Sequence, residues 1–70
     1  MAFSDNLRVL REKKNYSQSE LASLVGVDQS AIALFERGKR LPNIITGVDI
    51  AKKLDTTVEK LVDGQTEEEK

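Results

Sequence analysis

Two groups of polar and basic side chains supply the hydrogen-bonding chemistry in the middle of this sequence. Gln29 and Ser30 are adjacent, and Arg37 is followed closely by Lys39 and Arg40. An amide offers a donor and an acceptor side by side, a hydroxyl group can do both, and the basic groups donate to anions. These side chains are suited to binding a polar or anionic partner.

Catalysis is disfavoured by the residue types that the chain lacks. Its 70 residues include no Cys and no His, which excludes thiolate and imidazole metal sites, catalytic triads and the usual general base near neutral pH. Asp49 and Asp55 are too far apart on a helix to face each other. We therefore expect no enzyme activity, no metal, no cofactor and no small-molecule ligand.

Charge is unevenly distributed along the chain, whose formal net charge is -1. Residues 1–40 contain seven basic and five acidic side chains, whereas residues 41–70 contain four basic and seven acidic ones. Three Glu, at 67–69, lie in a stretch with no apolar residue after Val62. We expect residues 1–63 to form one domain and residues 64–70 to be an acidic, disordered tail.

The apolar content indicates the cellular compartment. No apolar run approaches the roughly 20 residues that a membrane-spanning helix needs. Charged residues also begin too early in the sequence for a signal peptide. We expect a soluble cytoplasmic domain that makes no membrane contact.

Apolar residues recur at intervals of three and four, which is the helical period and predicts an all-α domain. Helix-start signals are Ser4, the capping box of Ser17 with Glu20, Asp28 and Asn43. Gly47, inside the fourth predicted helix, indicates either a close helix approach or a frayed first turn. The predicted helices run from Ser4 to about 14, from 18 to 25 before Gly26, from 29 to 37 between Asp28 and Gly38, from 44 to 54, and from Thr57 to about 64.

The connection between the second and third helices is short. Only residues 26–28 separate them, so the chain must turn sharply and the two helices must cross at a large angle. Ala22 is small enough for a close crossing, while Ile32 and Phe35 place one face of the third helix in the core. The opposite face begins with polar residues and carries little negative charge, which fits the major groove of DNA. That face contains Gln29, Ser30, Ala33, Leu34 and Arg37.

The segment SQSELASLVGVDQSAIALFERGKRLPN resembles the helix-turn-helix family of phage Cro and repressor proteins, the Xre family. The resemblance extends from about Asn6 to Val62. It implies a compact five-helix, lambda repressor-like domain whose helix-turn-helix is formed by helices 2 and 3. It also implies a transcriptional regulator, with repression the expected effect, that binds double-stranded DNA at a palindromic operator as a homodimer. The matching positions are Gln18, Leu21, Ala22, Gly26, Val27, Ile32, Glu36, Gly38 and Pro42.

The resemblance assigns roles to individual residues. Gln18, at the start of the second helix, is expected to contact a phosphate and is placed to hydrogen-bond to Gln29. Arg11 and Glu36 match a pair that forms an internal salt bridge in relatives. The implied base contacts are Gln29, Ser30, Ala33 and Leu34. The implied phosphate contacts are Gln18, Arg37, Lys39, Arg40 and Asn43. The expected dimer interface is Val58, Leu61 and Val62 in the closing helix.

Ala33 and Leu34 differ from the polar or basic residues that are common at these positions in relatives. They offer only apolar contact, for example with a thymine methyl group. Leu34 has two other possible roles, packing beneath another segment or lying in a partner interface. The alternative function is therefore a protein-interaction module derived from a helix-turn-helix domain, with little or no DNA binding.

Overall fold

Five α-helices make up the computed structural model, which describes residues 2–63. The predicted all-α fold is confirmed, whereas the predicted acidic tail, residues 64–70, lies outside the described residues. The helices are α1 (Phe3–Lys13), α2 (Gln18–Val25), α3 (Gln29–Glu36), α4 (Ile44–Lys53) and α5 (Val58–Asp63).

Two of the predicted helix starts are confirmed in atomic detail. The Ser17 hydroxyl accepts from the Glu20 N–H at 2.9 Å while the Glu20 carboxylate accepts from the Ser17 N–H at 2.7 Å, so the capping box is complete. Asn43 Oδ1 accepts from the Thr46 N–H at 2.8 Å at the start of α4. These bonds satisfy backbone donors that the first helical turn leaves open.

The prediction that Ser4 caps the first helix is wrong. The helix begins at Phe3 after Ala2, and Ala2 makes no side-chain cap. Starting at Phe3 puts this ring on the same helical face as Leu7 and Leu10, and all three pack in or against the core. Burial of an aromatic ring contributes more than the roughly 1 kcal/mol of a serine cap.

One apolar core joins all five helices. Asn6 is the buried polar residue that accompanies it, and its Nδ2 donates to the Leu61 carbonyl at 2.7 Å, which ties α1 to α5. Such a bond removes much of the cost of burying an amide. The buried core residues are Leu7, Leu21, Ala22, Ile32, Phe35, Ile50, Ala51, Leu54 and Leu61.

The turn between α2 and α3 orients α3 relative to the core. Gly26 adopts a left-handed conformation with φ of 75°, and the Val27 N–H donates to the Ala22 carbonyl at 3.0 Å. A residue with a Cβ is strained at this φ, so glycine closes the helix here. Asp28 precedes α3, but its side chain makes no capping hydrogen bond.

Neither sequence-based explanation for Gly47 matches the structure. Its N–H donates to the Asn43 carbonyl at 2.8 Å, so the first turn of α4 is formed. A Cβ at this position would meet only the Pro42 ring, at 4.0 Å, so no helix approaches closely. Gly47 instead borders an apolar groove of about 260 Å³, which is also lined by Phe3, Leu41, Pro42, Asn43, Ile44, Val58, Leu61 and Val62.

The predicted ion pair between Arg11 and Glu36 is present. Arg11 Nε donates to Glu36 Oε2 at 2.6 Å, and Arg11 Nη2 donates to Glu36 Oε1 at 3.1 Å. The Glu36 and Arg11 side chains are only 4% and 12% exposed. The hydrogen bond that Arg11 donates to Glu36 raises the pKa of Arg11, against the opposing effect of burial. Arg11 Nη1 also donates to the Tyr16 carbonyl at 2.8 Å, so one guanidinium joins α1, the chain before α2 and the end of α3.

Replacing Glu36 with Ala should remove a large part of the domain's free energy of unfolding. Removal of one partner from a buried pair costs about 3–5 kcal/mol, which approaches the total stability of about 4–10 kcal/mol expected for a domain of this size. Thermal melts followed by circular dichroism provide the measurement. The control is Glu12→Ala, because Glu12 lies 3.8 Å from the same guanidinium but is exposed, and its loss should cost under about 1 kcal/mol. Equal melting temperatures for Glu36→Ala and the parent would contradict a structural role for the pair.

Candidate nucleic-acid interface

Gln29 and Ser30 begin α3, and both are exposed. Packing holds α3 in place, because Ile32 and Phe35 on the same helix are buried in the core. Two side chains rich in hydrogen-bonding atoms therefore stand at the exposed end of a short, firmly packed helix. Side chains so placed are suited to contact base edges in the major groove.

A chain of hydrogen bonds connects Gln29 to the interior. Gln29 Nε2 donates to Gln18 Oε1 at 2.7 Å, and Gln18 Nε2 donates to Glu36 Oε1 at 3.0 Å. Glu36 is in turn held by Arg11. We call these four side chains, Arg11, Glu36, Gln18 and Gln29, the relay.

Sequence reasoning anticipated the bond between Gln18 and Gln29 but not the bond from Gln18 to Glu36. Gln18 is the first residue of α2 and Glu36 is the last residue of α3, 18 residues later in the sequence. No helical spacing relates two residues on different helices. Only the crossing angle of α2 and α3 brings the Gln18 amide to the Glu36 carboxylate. No pattern in the sequence signals this bond.

Ala33 and Leu34 lie on the outer side of α3 and are both half-buried. Each presents part of its apolar surface to solvent. The Leu34 carbonyl accepts from the Lys39 N–H at 3.0 Å, which folds the chain after α3 back against the helix end.

The segment after α3 presents three basic side chains. Arg37, Lys39 and Arg40 are all exposed. Gly38 has φ of 72° and its N–H donates to the Phe35 carbonyl at 3.2 Å, so the segment begins with a defined turn. The Glu36 carboxylate is engaged by Arg11, which leaves the adjacent basic groups available for a phosphate backbone. Asn43, also exposed, ends the segment, and its side-chain oxygen Oδ1 caps α4.

The structure corrects one residue of the predicted dimer interface. Leu61 is 1% exposed and belongs to the core, so its side chain has almost no free surface to offer a second chain. It faces inward on the same side of α5 as Val58, three residues earlier, which packs against that core. Val58 is half-buried against the core, and Val62 is exposed.

Three other apolar residues are more exposed than Val62, one shortly before α4 and two at its start. Leu41, Ile44 and Ile45 are 72%, 78% and 73% exposed. Sequence reasoning did not single them out, although a signal was present for Ile45. Ile50 and Ala51 of α4 enter the core, together with Leu54 directly after the helix. The helical period places Ile45 on the opposite face, whereas the exposure of Ile44 does not follow from that period. With Val62, which lines the same groove as Leu41 and Ile44, they form what we call the apolar surface (Leu41, Ile44, Ile45 and Val62).

Within residues 2–63, no three His, Cys, Asp or Glu side chains are grouped so that they could hold a metal ion. Asp55, one of the two carboxylates considered for catalysis, forms an exposed ion pair with Lys14. None of the five described helices has the length and apolar character required to cross a membrane.

Comparison with known proteins agrees with this geometry. A family described as helix-turn-helix matches residues 7–61. The chain is 32% identical over 66 residues to the uncharacterized HTH-type transcriptional regulator YqaE of Bacillus subtilis, covering 94% of this chain and 57% of YqaE. It is 36% identical over 62 residues to the control protein C.SmaI of Serratia marcescens, covering 89% of this chain and 74% of C.SmaI.

The solved structures include the P22 c2 repressor in complex with a synthetic operator, to which the fold is similar with a TM-score of 0.89. The two chains are 28% identical, and the match covers 91% of this chain and 97% of the repressor chain. Fold, turn geometry, internal ion pair and sequence similarity all agree. The chain therefore belongs to the helix-turn-helix family of the phage Cro and repressor type.

Proposed function

We propose that this chain is a sequence-specific DNA-binding transcriptional regulator that inserts α3 into the major groove. The observation that carries the proposal is the hydrogen bond of 2.7 Å between Gln29 and Gln18. It holds an exposed amide in place at the start of α3 before any partner arrives, which reduces the entropy lost on binding. The similarity to a repressor solved with its operator supports the same conclusion. Repression is the effect that we expect.

The outer face of α3 would contact the base edges. Gln29 is suited to a bidentate contact with adenine, and the Ser30 hydroxyl can bond to either purine. The partly exposed side chains of Ala33 and Leu34 supply apolar contact, for which a thymine methyl group is the natural partner.

Phosphate contacts set the register of the protein on DNA. Gln18 begins α2, where open backbone N–H groups favour an anion. Arg37, Lys39 and Arg40 form a second contact on the other side of α3, and Asn43 adds the start of α4. Phosphate contacts on both sides of α3, one on each side, would fix the depth and angle of this helix in the groove.

A homodimer is the assembly that we propose. One module of this size buries too little DNA surface for tight specific binding, and a second copy on a palindromic operator doubles the contact. The apolar surface is the best candidate for the interface, because Leu41, Ile44 and Val62 line one groove and would be covered by an equivalent patch. Val58 contributes at the edge, and Leu61 supports the surface from the core. We place this protein in the cytoplasm, where bacterial and phage DNA is found.

The apolar surface also favours a second candidate, a protein-interaction module that binds little or no DNA. The same four exposed apolar residues would then contact a different protein. The two functions differ in their dependence on salt, because only phosphate neutralisation releases counterions.

Binding to DNA should be strongly weakened by salt. If each subunit neutralises about three phosphates, a plot of log affinity against log salt concentration should have a slope near -5 for a dimer. The measurement is fluorescence anisotropy with oligonucleotides selected from a random pool, repeated at several NaCl concentrations. Arg40→Ala should reduce the slope by about 2 per dimer, whereas Lys53→Ala, at the opposite end of α4 from Asn43, should leave it unchanged. Absence of salt-dependent binding at low ionic strength would favour the interaction module.

Simultaneous substitution of Gln29 and Ser30 by Ala should reduce sequence preference with little effect on stability. Both side chains are exposed, so the free energy of unfolding should change by no more than about 0.5 kcal/mol. Discrimination between the selected site and a scrambled one should fall at least about fivefold, since a bidentate contact contributes about 1–3 kcal/mol. Ser23→Ala, on the exposed side of α2, is the control. Undiminished discrimination by the double variant would remove the base-reading role.

Ile45→Glu should weaken self-association without unfolding the chain. The side chain is largely exposed in one copy, so a carboxylate there is solvated in the monomer but would be buried in the proposed interface. Sedimentation velocity over a range of concentrations gives the dissociation constant, which should rise by about tenfold or more. The control is Leu24→Glu, an apolar-to-acidic change on α2 outside the apolar surface. A parent chain that stays monomeric at high micromolar concentration, free and on DNA, would contradict the dimer.

A further inference from the structure

We propose that Glu36, which lies out of reach of DNA, determines which base Gln29 selects by fixing the direction of every hydrogen bond in the relay. The proposal rests on the proposed function and adds a specificity-determining, positioning role for a buried carboxylate. It follows from the donor and acceptor capacity of each group along the chain from Arg11 to Gln29.

The direction is imposed from the interior. A carboxylate engaged by Arg11 has only acceptors to offer. The Gln18 amide must therefore turn its NH2 group towards Glu36 Oε1, at 3.0 Å. Its oxygen is then the atom that faces Gln29, and Gln29 must donate to it, at 2.7 Å.

The consequence for Gln29 is a change in what it can offer to DNA. One of its two Nε2 hydrogens is used by Gln18, so one N–H donor and the carbonyl oxygen remain. Adenine presents an acceptor at N7 and a donor at N6, which this pair complements. Guanine presents acceptors at N7 and O6, and O6 would stand against the Gln29 oxygen. The relay thus makes an ambivalent amide selective for adenine over guanine.

The solvent exposure of the relay side chains agrees with a buried carboxylate that sets the hydrogen-bond direction and an exposed amide that contacts the base. Glu36 is nearly inaccessible, Gln18 is half-buried and Gln29 is exposed. The fixed charge therefore lies in the interior, where its hydrogen bonds are protected from water. The adaptable amide lies at the surface.

Glu36→Gln is the decisive variant, because it keeps the size of the side chain and reverses the direction of the relay. Arg11 only donates, so it takes the single oxygen of the new amide and leaves the NH2 group facing Gln18. Gln18 then turns its oxygen inward and its NH2 group outward, and Gln29 accepts from it. Gln29 is left with two N–H donors, which suit the two acceptors of guanine.

The experiment begins with sites selected from a random DNA pool by the parent chain and by Gln29→Ala. The base pair at which the two selections differ is the one that Gln29 reads. Affinities are then measured by competition for duplexes that differ only at that pair. The parent should prefer adenine over guanine by at least about fivefold, and Glu36→Gln should lower that ratio by about tenfold or more.

Two further variants separate direction from stability. Arg11→Lys weakens the same ion pair but leaves the carboxylate in place, so its preference for adenine should be kept. Gln18→Met breaks the relay without altering the ion pair, so both N–H donors of Gln29 become free and the guanine penalty should shrink. If thermal melts show that Glu36→Gln is unfolded at the assay temperature, Gln18→Met decides the question.

The outcomes distinguish the inference from the function on which it rests. A parent chain that binds no DNA with sequence preference overturns both. A parent that reads a base other than adenine with Gln29 overturns the inference alone. So does an unchanged adenine-to-guanine ratio in folded Glu36→Gln or in Gln18→Met, or an equal loss of that ratio in Arg11→Lys.

Discussion

The buried ion pair of Arg11 and Glu36 is the contact on which the arrangement of the proposed DNA-facing side chains depends. A single guanidinium bonds to the end of α3 and to the Tyr16 carbonyl just before α2. The carboxylate then extends its influence outward through Gln18 to Gln29. Such a pair contributes little net stability when compared with an apolar contact, but it specifies direction and position. Here it joins the packing of three helices to the presentation of one amide.

Most of the fold could be predicted from the sequence because its signals are local. The Ser17 and Glu20 capping box, Asn43 before α4 and the left-handed Gly26 each act within a few residues of their position in the chain. The start of α1 was misplaced because Ser4 gives a capping signal, whereas the actual start depends on the packing of Phe3 against residues distant in sequence. The amide of Asn6, bonded 55 residues away to Leu61, is likewise a tertiary feature.

The features of the candidate site also divide into those that follow from local sequence spacing and those that depend on how the helices pack together. That Gln29 and Ser30 are exposed follows from the burial of Ile32 and Phe35 on the same helix. The bond between Gln18 and Glu36 does not follow from spacing, since it depends on the angle between two helices. The inward orientation of Leu61 depends on the rotation of α5 about its axis, which an apolar pattern of six residues defines poorly.

The exposure of Gln29 and Ser30 bears on how such a protein changes over evolutionary time. Neither side chain supports the core or caps a helix in the described residues, so mutations at these two positions meet little selection for stability. Glu36 has no such freedom, because the same carboxylate holds the domain together. New binding preferences would therefore arise at the surface end of the relay while its buried end stays constant, so that related regulators diverge in the sites they read before they diverge in fold.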